Sequence, residues 1–336
     1  MSFINYQSPE NIKTAWIFPG QGSQATGMGR ELLKFNSAHK RLQQAQAILG
    51  WSIEELWQSP INRLSQTIYT QPCLYVFATI LVDILRENGY RPDMLAGYSL
   101  GEYPALYAAG AFDFETGLHL IKSRAEIMAS APPGVMVNLI GFNKKQLEET
   151  LQTTPNVWRA NDDLHRVIIA GTTEGVTSLL SKVKVRSTTK LNVSAAFHSP
   201  LLSTTAAKFQ PILNATPFKL LQVPLLGSQG FYSNTDIDQL KESLITQMVQ
   251  PVQWQNISSQ MAATGIKRII EISAGNSLGK QMKKNCPDFI LQKVSNVLEQ
   301  STPVVREMEK WGVREMRWGS RELERWGEEI TLTPNT

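Results

Sequence analysis

The chain has 336 residues, 42% of them hydrophobic and 18% charged, with a formal net charge of +4. That length buries a sizeable core and points to two domains, or to one large domain with an insertion. The charge is too small for a nucleic-acid surface, no dense Lys/Arg run interleaves with aromatics, and a mildly basic surface suits an acidic protein partner.

The polar opening "MSFINYQSPENIKT" has no apolar signal core, and no run of about 18 apolar residues follows, so a cytoplasmic protein with no membrane association is expected. "TAWIF" (14–18) reads as a strand, "PGQGSQATGMG" as a Gly-rich loop and "RELLKF" as a helix. That loop lacks the ending of a P-loop and the spacing of a dinucleotide fingerprint. From Pro72 to Asn88 the apolar residues Leu74, Phe77, Ala78, Leu81 and Leu85 recur at helical spacing, and Asn88-Gly89 supplies a stop. Cys73 within it and the distant Cys286 stand in no metal or redox spacing, which predicts unpaired thiols in a reducing compartment and no metal site. "DMLAG" reads as a strand leading into Ser99, then "GEYPALYAAGAF" and "FETGLHLIKSRAEIMAS" as helices.

After "APPG" (131–134) the rhythm changes. "VMVNLIG", "VWRA", "RVIIAG" and "KLNVSAA" read as strands, with "KKQLEETLQ" and "EGVTSLLSKV" as helices, in the β-α-β-β-α-β order of a ferredoxin-like unit. The expected class is α/β: a large α/β-hydrolase-like domain with a parallel sheet, over 1–133 and 196–300, and an inserted ferredoxin-like small domain over 134–195. The larger domain resumes with a helix after "FHSPLL", "VPLLGSQG", a helix around Leu240 to Met248, the strand "KRIIEISAG" and the helix "SLGKQMKK". Residues 301–336 repeat imperfectly as "REMEKWG", "VREMRWG" and "SRELERWG", with Trp311, Trp318 and Trp326 spaced by 7 and 8. They read as a C-terminal helix packing a Trp face on the body, or as a docking helix for a partner.

Gly97-Tyr98-Ser99-Leu100-Gly101 is the one Gly-x-Ser-x-Gly in the chain. On a strand–turn–helix elbow such a serine exposes its Oγ, and the next N–H, that of Leu100, faces a developing oxyanion. A serine hydroxyl needs a base within hydrogen-bond reach. Among the four histidines, His39 and His119 sit in amphipathic helices and His165 in a polar loop. His198 lies where the small unit rejoins the large one, and position alone leaves the choice open.

"FPGQGSQATGMG", "GYSLGEYPAL" followed by Arg124, "NVSAAFHSP" and "LITQMVQPVQW" stand in an order and spacing that resembles the malonyl-CoA:acyl-carrier-protein transacylases. "GAFDFETGL" and "RLSQTIYTQPCLYV" are similar to the free-standing branch that serves polyketide synthases in trans. The resemblance covers residues 14 to about 297. It implies Ser99 as the acylated nucleophile and His198 as general base and then acid, a dyad without a carboxylate. It implies an oxyanion hole from the backbone N–H groups of Gln21 and Leu100, and Gln247 holding the histidine in place. Arg124 would clamp the free carboxylate of a malonyl group, a task suited to a planar, permanently charged fork. The implied cycle is ping-pong from malonyl-CoA to the phosphopantetheine thiol of an acyl carrier protein, with no cofactor. Lys182, Lys184 and Arg186, or Lys280, Lys283 and Lys284, are candidate carrier contacts.

Tyr98 stands where most of that family has histidine, and reads as a steric substitute or a reshaping of the acyl pocket. Phe197 and Leu100 match the malonyl-type pattern. "ANDDLHRV" (160–167) is shorter and more charged than the family's loop near the pocket, and "ISAGNSLG" replaces a Gly-Pro-Gly turn. The rival readings are an acyl hydrolase that edits stalled carrier proteins, a lipase-type hydrolase and a silent docking module. Arg124 argues against the first. The absence of any histidine after 198 argues against the second, and the intact Ser99, His198 and Arg124 against the third.

Overall fold

The computed structural model describes residues 12–163, 166–228, 230–233, 237–275 and 277–295. The Trp-rich tail and His165 lie outside them. In chain order, β1 (Thr14–Phe18) is followed by a single 3-10 turn at Arg30–Leu32, and then α1 (Asn36–Leu49), α2 (Ile53–Trp57), α3 (Ile61–Leu64) and α4 (Thr67–Glu87). Next come β2 (Met94–Gly97), α5 (Glu102–Ala108) and α6 (Phe114–Ala129). The middle of the chain forms β3 (Val135–Phe142), α7 (Lys144–Thr153), β4 (Val157–Arg159), β5 (Arg166–Gly171), α8 (Thr173–Lys182) and β6 (Val185–Lys190). The remainder is α9 (Ser203–Ala215), β7 (Leu225–Gly227), β8 (Gly230–Tyr232), α10 (Ile237–Val249), α11 (Trp254–Ala263), β9 (Arg268–Glu271), α12 (Ser277–Asn285) and β10 (Ile290–Lys293).

The class is α/β. One six-stranded sheet runs β10-β9-β1-β2-β7-β8, parallel throughout except for the final β7–β8 hairpin. Its strands read as short apolar runs because both faces are covered. Ala15, Ile17, Ala96 and Leu226 pack against Trp254, Ile257 and Met261 of α11 and Leu278 and Met282 of α12. The opposite parity, Trp16, Phe18 and Leu95, is equally buried. The second sheet runs β4-β5-β3-β6 and is antiparallel, the ferredoxin-like order. Val137, Leu139, Val167 and Ile169 pack there on Leu147 of α7 and Val176 and Leu179 of α8. Side-chain caps start several helices: Asp113 accepts from Thr116 N–H at 2.8 Å for α6, and Asn143 from Gln146 N–H at 3.0 Å for α7.

Three expectations are corrected. "RELLKF" forms only the 3-10 turn, and the helix begins at Asn36. The last small-sheet strand is 185–190 and not "KLNVSAA". It is an edge strand exposed at nearly every position, so it lacks the alternation that marks a half-buried strand. Residues 191–196 instead run irregularly into the core, with Leu191 N–H on the Met136 carbonyl at 2.9 Å. The helix expected from Pro72 begins five residues earlier at Thr67, with Pro72 inside it. That helix, α4, is long and apolar enough by mean hydropathy to cross a membrane, but it is broken by Gln71 and Asp83 and 83% of the stretch is buried within the protein, as a core helix is.

Candidate active site

Ser99 sits between β2 and α5 with φ of 54°, the left-handed region that costs an L residue about 1–2 kcal/mol. The surrounding glycines make that turn possible. A Cβ on Gly97 would lie 2.2 Å from the Glu102 nitrogen, and one on Gly101 2.0 Å from the Phe18 carbonyl oxygen. Strand, turn and helix therefore approach closer than any side chain allows. Gly20, in the loop after β1, is pressed on the same turn, where a Cβ would lie 2.6 Å from the Tyr98 carbonyl oxygen. That contact sets Gln21 beside the elbow, with its side-chain amide on Thr67 Oγ1 at 3.3 Å. Leu100 is the second residue of the 3-10 turn 99–101, where a backbone N–H has no intrahelical acceptor.

His198 also has a positive φ, 59°, and its N–H is fixed on the Met248 carbonyl at 3.1 Å. Its Nε2 lies 2.9 Å from Ser99 Oγ and its Nδ1 2.7 Å from the Gln247 backbone carbonyl. A carbonyl can only accept, so Nδ1 carries the proton and Nε2 presents its lone pair to the serine hydroxyl. Burial, with the Arg124 cation adding to it, pushes the imidazole down to about 4, against the hydrogen bond to Gln247. It is a neutral base at physiological pH. Gln247 acts twice: its backbone orients His198, and its side-chain amide donates to the Ser99 carbonyl at 3.3 Å.

Arg124 on α6 is 1% exposed, and its guanidinium stacks 5.1 Å from the centre of the Tyr103 ring. Nη1 donates to Gln71 Oε1 at 2.7 Å, while Nε and Nη2 are buried with no hydrogen-bond partner. A buried guanidinium with two donors unpaired and no carboxylate bonded to it has the chemistry to take up an anion, because leaving such groups unpaired is costly. The sequence reading missed Gln71, which fixes the guanidinium from α4 and is itself held by Met128 Sδ at 3.3 Å. Its only signal was position, one residue before Pro72.

Tyr98 packs edge-on against Trp254 at 5.7 Å. Burial pushes its phenol far up, so it stays neutral. Phe197 is buried just before His198. His39 is exposed on α1, and His119 lines a groove between α6 and α9 with Ile212 and Pro217. Of the histidines among the described residues, only His198 bonds to Ser99.

Fold and site together define an α/β enzyme of the acyltransferase class. The chain belongs to the acyl transferase domain family, whose model matches residues 15–301. It is 44% identical over 287 residues to a malonyl CoA-acyl carrier protein transacylase of Synechocystis, covering 85% of this chain and 98% of the relative. It is 35% identical over 272 residues to the polyketide biosynthesis malonyl CoA-acyl carrier protein transacylase PksC of Bacillus subtilis, covering 78% and 93%. The crystal structure of the Synechocystis transacylase superposes with a TM-score of 0.83 at 43% identity, covering 86% of this chain and all of the other. A type II polyketide synthase acyl-carrier protein in complex with its malonyl-transacylase, PlMCAT:AntF, gives a TM-score of 0.81 at 26% identity, covering 86% and 98%.

Proposed function

We propose that the protein moves a malonyl group from CoA to the phosphopantetheine thiol of an acyl carrier protein, by a ping-pong cycle through a Ser99 ester. The observation that carries this reading is Arg124, a buried cation whose two free donors match a carboxylate. His198 Nε2 takes the Ser99 proton as Oγ attacks the thioester carbonyl, and the imidazolium returns it to the departing CoA thiolate. The N–H groups of Gln21 and Leu100 hold the oxyanion. In the second half the carrier thiol gives its proton to His198, its sulfur attacks the Ser99 ester carbonyl, and the imidazolium returns the proton to the departing Ser99 Oγ as the C–O bond breaks. The Gln247 carbonyl stands where a triad has a carboxylate, and orients the ring without adding charge. The reading needs no cofactor. It divides the chain into a catalytic domain of 1–133 and 196–300 and a small domain of 134–195.

A polyketide synthase served in trans is the proposed destination, supported by the likeness to PksC. The higher identity to the Synechocystis transacylase favours a second destination, the carrier protein of fatty-acid synthesis. Intact-mass analysis tests the reading. The enzyme should gain one malonyl group from malonyl-CoA, pass it to holo carrier protein and gain nothing as Ser99→Ala. Persistent labelling of that variant would remove Ser99, and release of free malonate faster than transfer would favour an editing hydrolase. Relative rates on the two carrier types separate the destinations.

A further inference from the structure

Beside the elbow, Arg124 is not the only buried group with an unused donor. Tyr103 lies on α5 four residues after Ser99, about one helical turn beyond it. It is fully buried, and its ring packs on the Arg124 guanidinium, 5.1 Å from ring centre to guanidinium carbon. Its hydroxyl makes no hydrogen bond of good geometry among the described residues. The guanidinium spends Nη1 on Gln71 and leaves its Nε–Nη2 edge unpaired. Burial pushes the Tyr103 phenol up to about 12, against the pull of the Arg124 cation, so the hydroxyl keeps its proton and can donate. A buried tyrosine hydroxyl ordinarily has a partner, and leaving it without one costs stability.

We propose that the Tyr103 hydroxyl is a third donor to the free carboxylate of the acyl group, alongside Nε and Nη2 of Arg124. The proposal rests on the clamp reading of Arg124. A carboxylate offers two oxygens and about four lone-pair positions. The side-on edge of a guanidinium fills one position on each oxygen and leaves the others open. One more donor therefore fits without displacing the fork. Gln71 does not supply it, because its amide nitrogen is on Met128 Sδ and its oxygen accepts from Arg124 Nη1. Tyr103 is held against the guanidinium by its ring and has its hydroxyl to spare. An uncharged hydroxyl also strengthens the hold on a carboxylate without burying a second cation in the unloaded site. An acetyl group has no carboxylate, so this contact makes Tyr103 a specificity-determining residue.

The test is the ratio of kcat/KM for malonyl-CoA to that for acetyl-CoA, read beside the Tm of the unloaded enzyme. Tyr103→Phe keeps the ring on the guanidinium and removes the hydroxyl. The ratio should fall about tenfold, the scale of one hydrogen bond to a charged group. The Tm should hold or rise, because the variant no longer buries an unpaired hydroxyl. An unchanged ratio overturns the proposal. So does a lower Tm with both substrates losing equally, which marks a purely structural role. The wild-type enzyme supplies a measurement that does not depend on the variant folding. The infrared difference spectrum between malonyl-loaded and free enzyme should show a tyrosine phenol C–O band moving to the position of a donating hydroxyl, and the acetyl-loaded spectrum should not. Absence of that shift on malonyl loading overturns the proposal. Arg124→Ala separates this idea from the one beneath it. If it leaves the malonyl preference intact, the clamp fails and the third donor with it. If it abolishes the preference while Tyr103→Phe keeps the wild-type ratio, only the third donor fails.

Discussion

In the proposed cycle two single residues set how the chemistry depends on pH and on substrate. There His198 has to be neutral to accept the Ser99 proton, and burial holds its pKa at about 4, below the ordinary histidine value of about 6.5. Activity is therefore present above the folded pKa and lost as pH falls through it. The acid limb of kcat/KM for loading should lie near pH 4 to 5, and a limb near 6.5 would contradict the buried-base geometry. Arg124 contributes to that depression, so Arg124→Ala should move the limb upward when acetyl-CoA is the substrate. The same variant should cut malonyl loading by about a hundredfold or more, the scale of a charge-assisted bidentate pair, and change acetyl loading far less. Equal losses for both acyl groups would exclude carboxylate recognition. Ser99 and His198 were legible in the sequence as residue types. That they share the left-handed conformation was not, because positive φ in a non-glycine residue is imposed by the packing around it.

At the level of elements, the elbow leaves no room for side chains at Gly97 and Gly101. Gly101 leaves room for the Phe18 carbonyl of the neighbouring strand, and the obstacle to a side chain there is backbone on both sides. Gly101→Ala should lower unfolding stability by about 3 kcal/mol, measured by denaturant titration, because backbone cannot rotate away as a side chain can. A loss under 0.5 kcal/mol would mean that β1 and α5 slide apart easily. The core helices and inner strands were readable from periodicity, as Leu74 to Leu85 on α4 illustrate. The failures were at edges: β6 is nearly all exposed, β10 carries the weak pattern of a sheet margin, and α4 starts before its proline. In each case the local pattern is faint because half of what stabilises the element comes from a neighbour.

Over the whole molecule, the two sheets are tied by the short segment between β4 and β5. Ala160 and Asp162 exchange backbone hydrogen bonds with Val252 at 3.0 and 3.1 Å. The Asp162 carboxylate accepts from Gln255 and Asn256 N–H at 2.8 and 3.0 Å, capping α11 from another part of the chain. Asp163 takes a hydrogen bond from the Gln281 amide, and Asn161 accepts from Ile168 N–H at 2.9 Å. The charged character of "ANDD", read from sequence as a departure near the pocket, is thus spent largely on these ties. Asp162→Ala should cost about 1–2 kcal/mol, as losing a helix cap does, visible as a lower Tm. It should also loosen Tyr98, raising KM for malonyl-CoA without abolishing the Ser99 adduct. An unchanged Tm would show that the remaining contacts hold the sheets together unaided.

The sequence by itself determined the α/β class, the ferredoxin-like insertion and the elbow, while the choice of His198 as the partner of Ser99 came from the family resemblance and its 2.9 Å contact from the fold. The first three rest on local patterns, such as apolar period, glycine spacing and short motifs, that survive without knowledge of neighbours. Only the tertiary structure decided that Gln247 orients His198 through its backbone and that Gln71 braces Arg124. A backbone carbonyl leaves no mark in residue identity. The meaning of a glutamine or glutamate in a helix depends on which distant face the fold turns it toward, and whether water is there to solvate it.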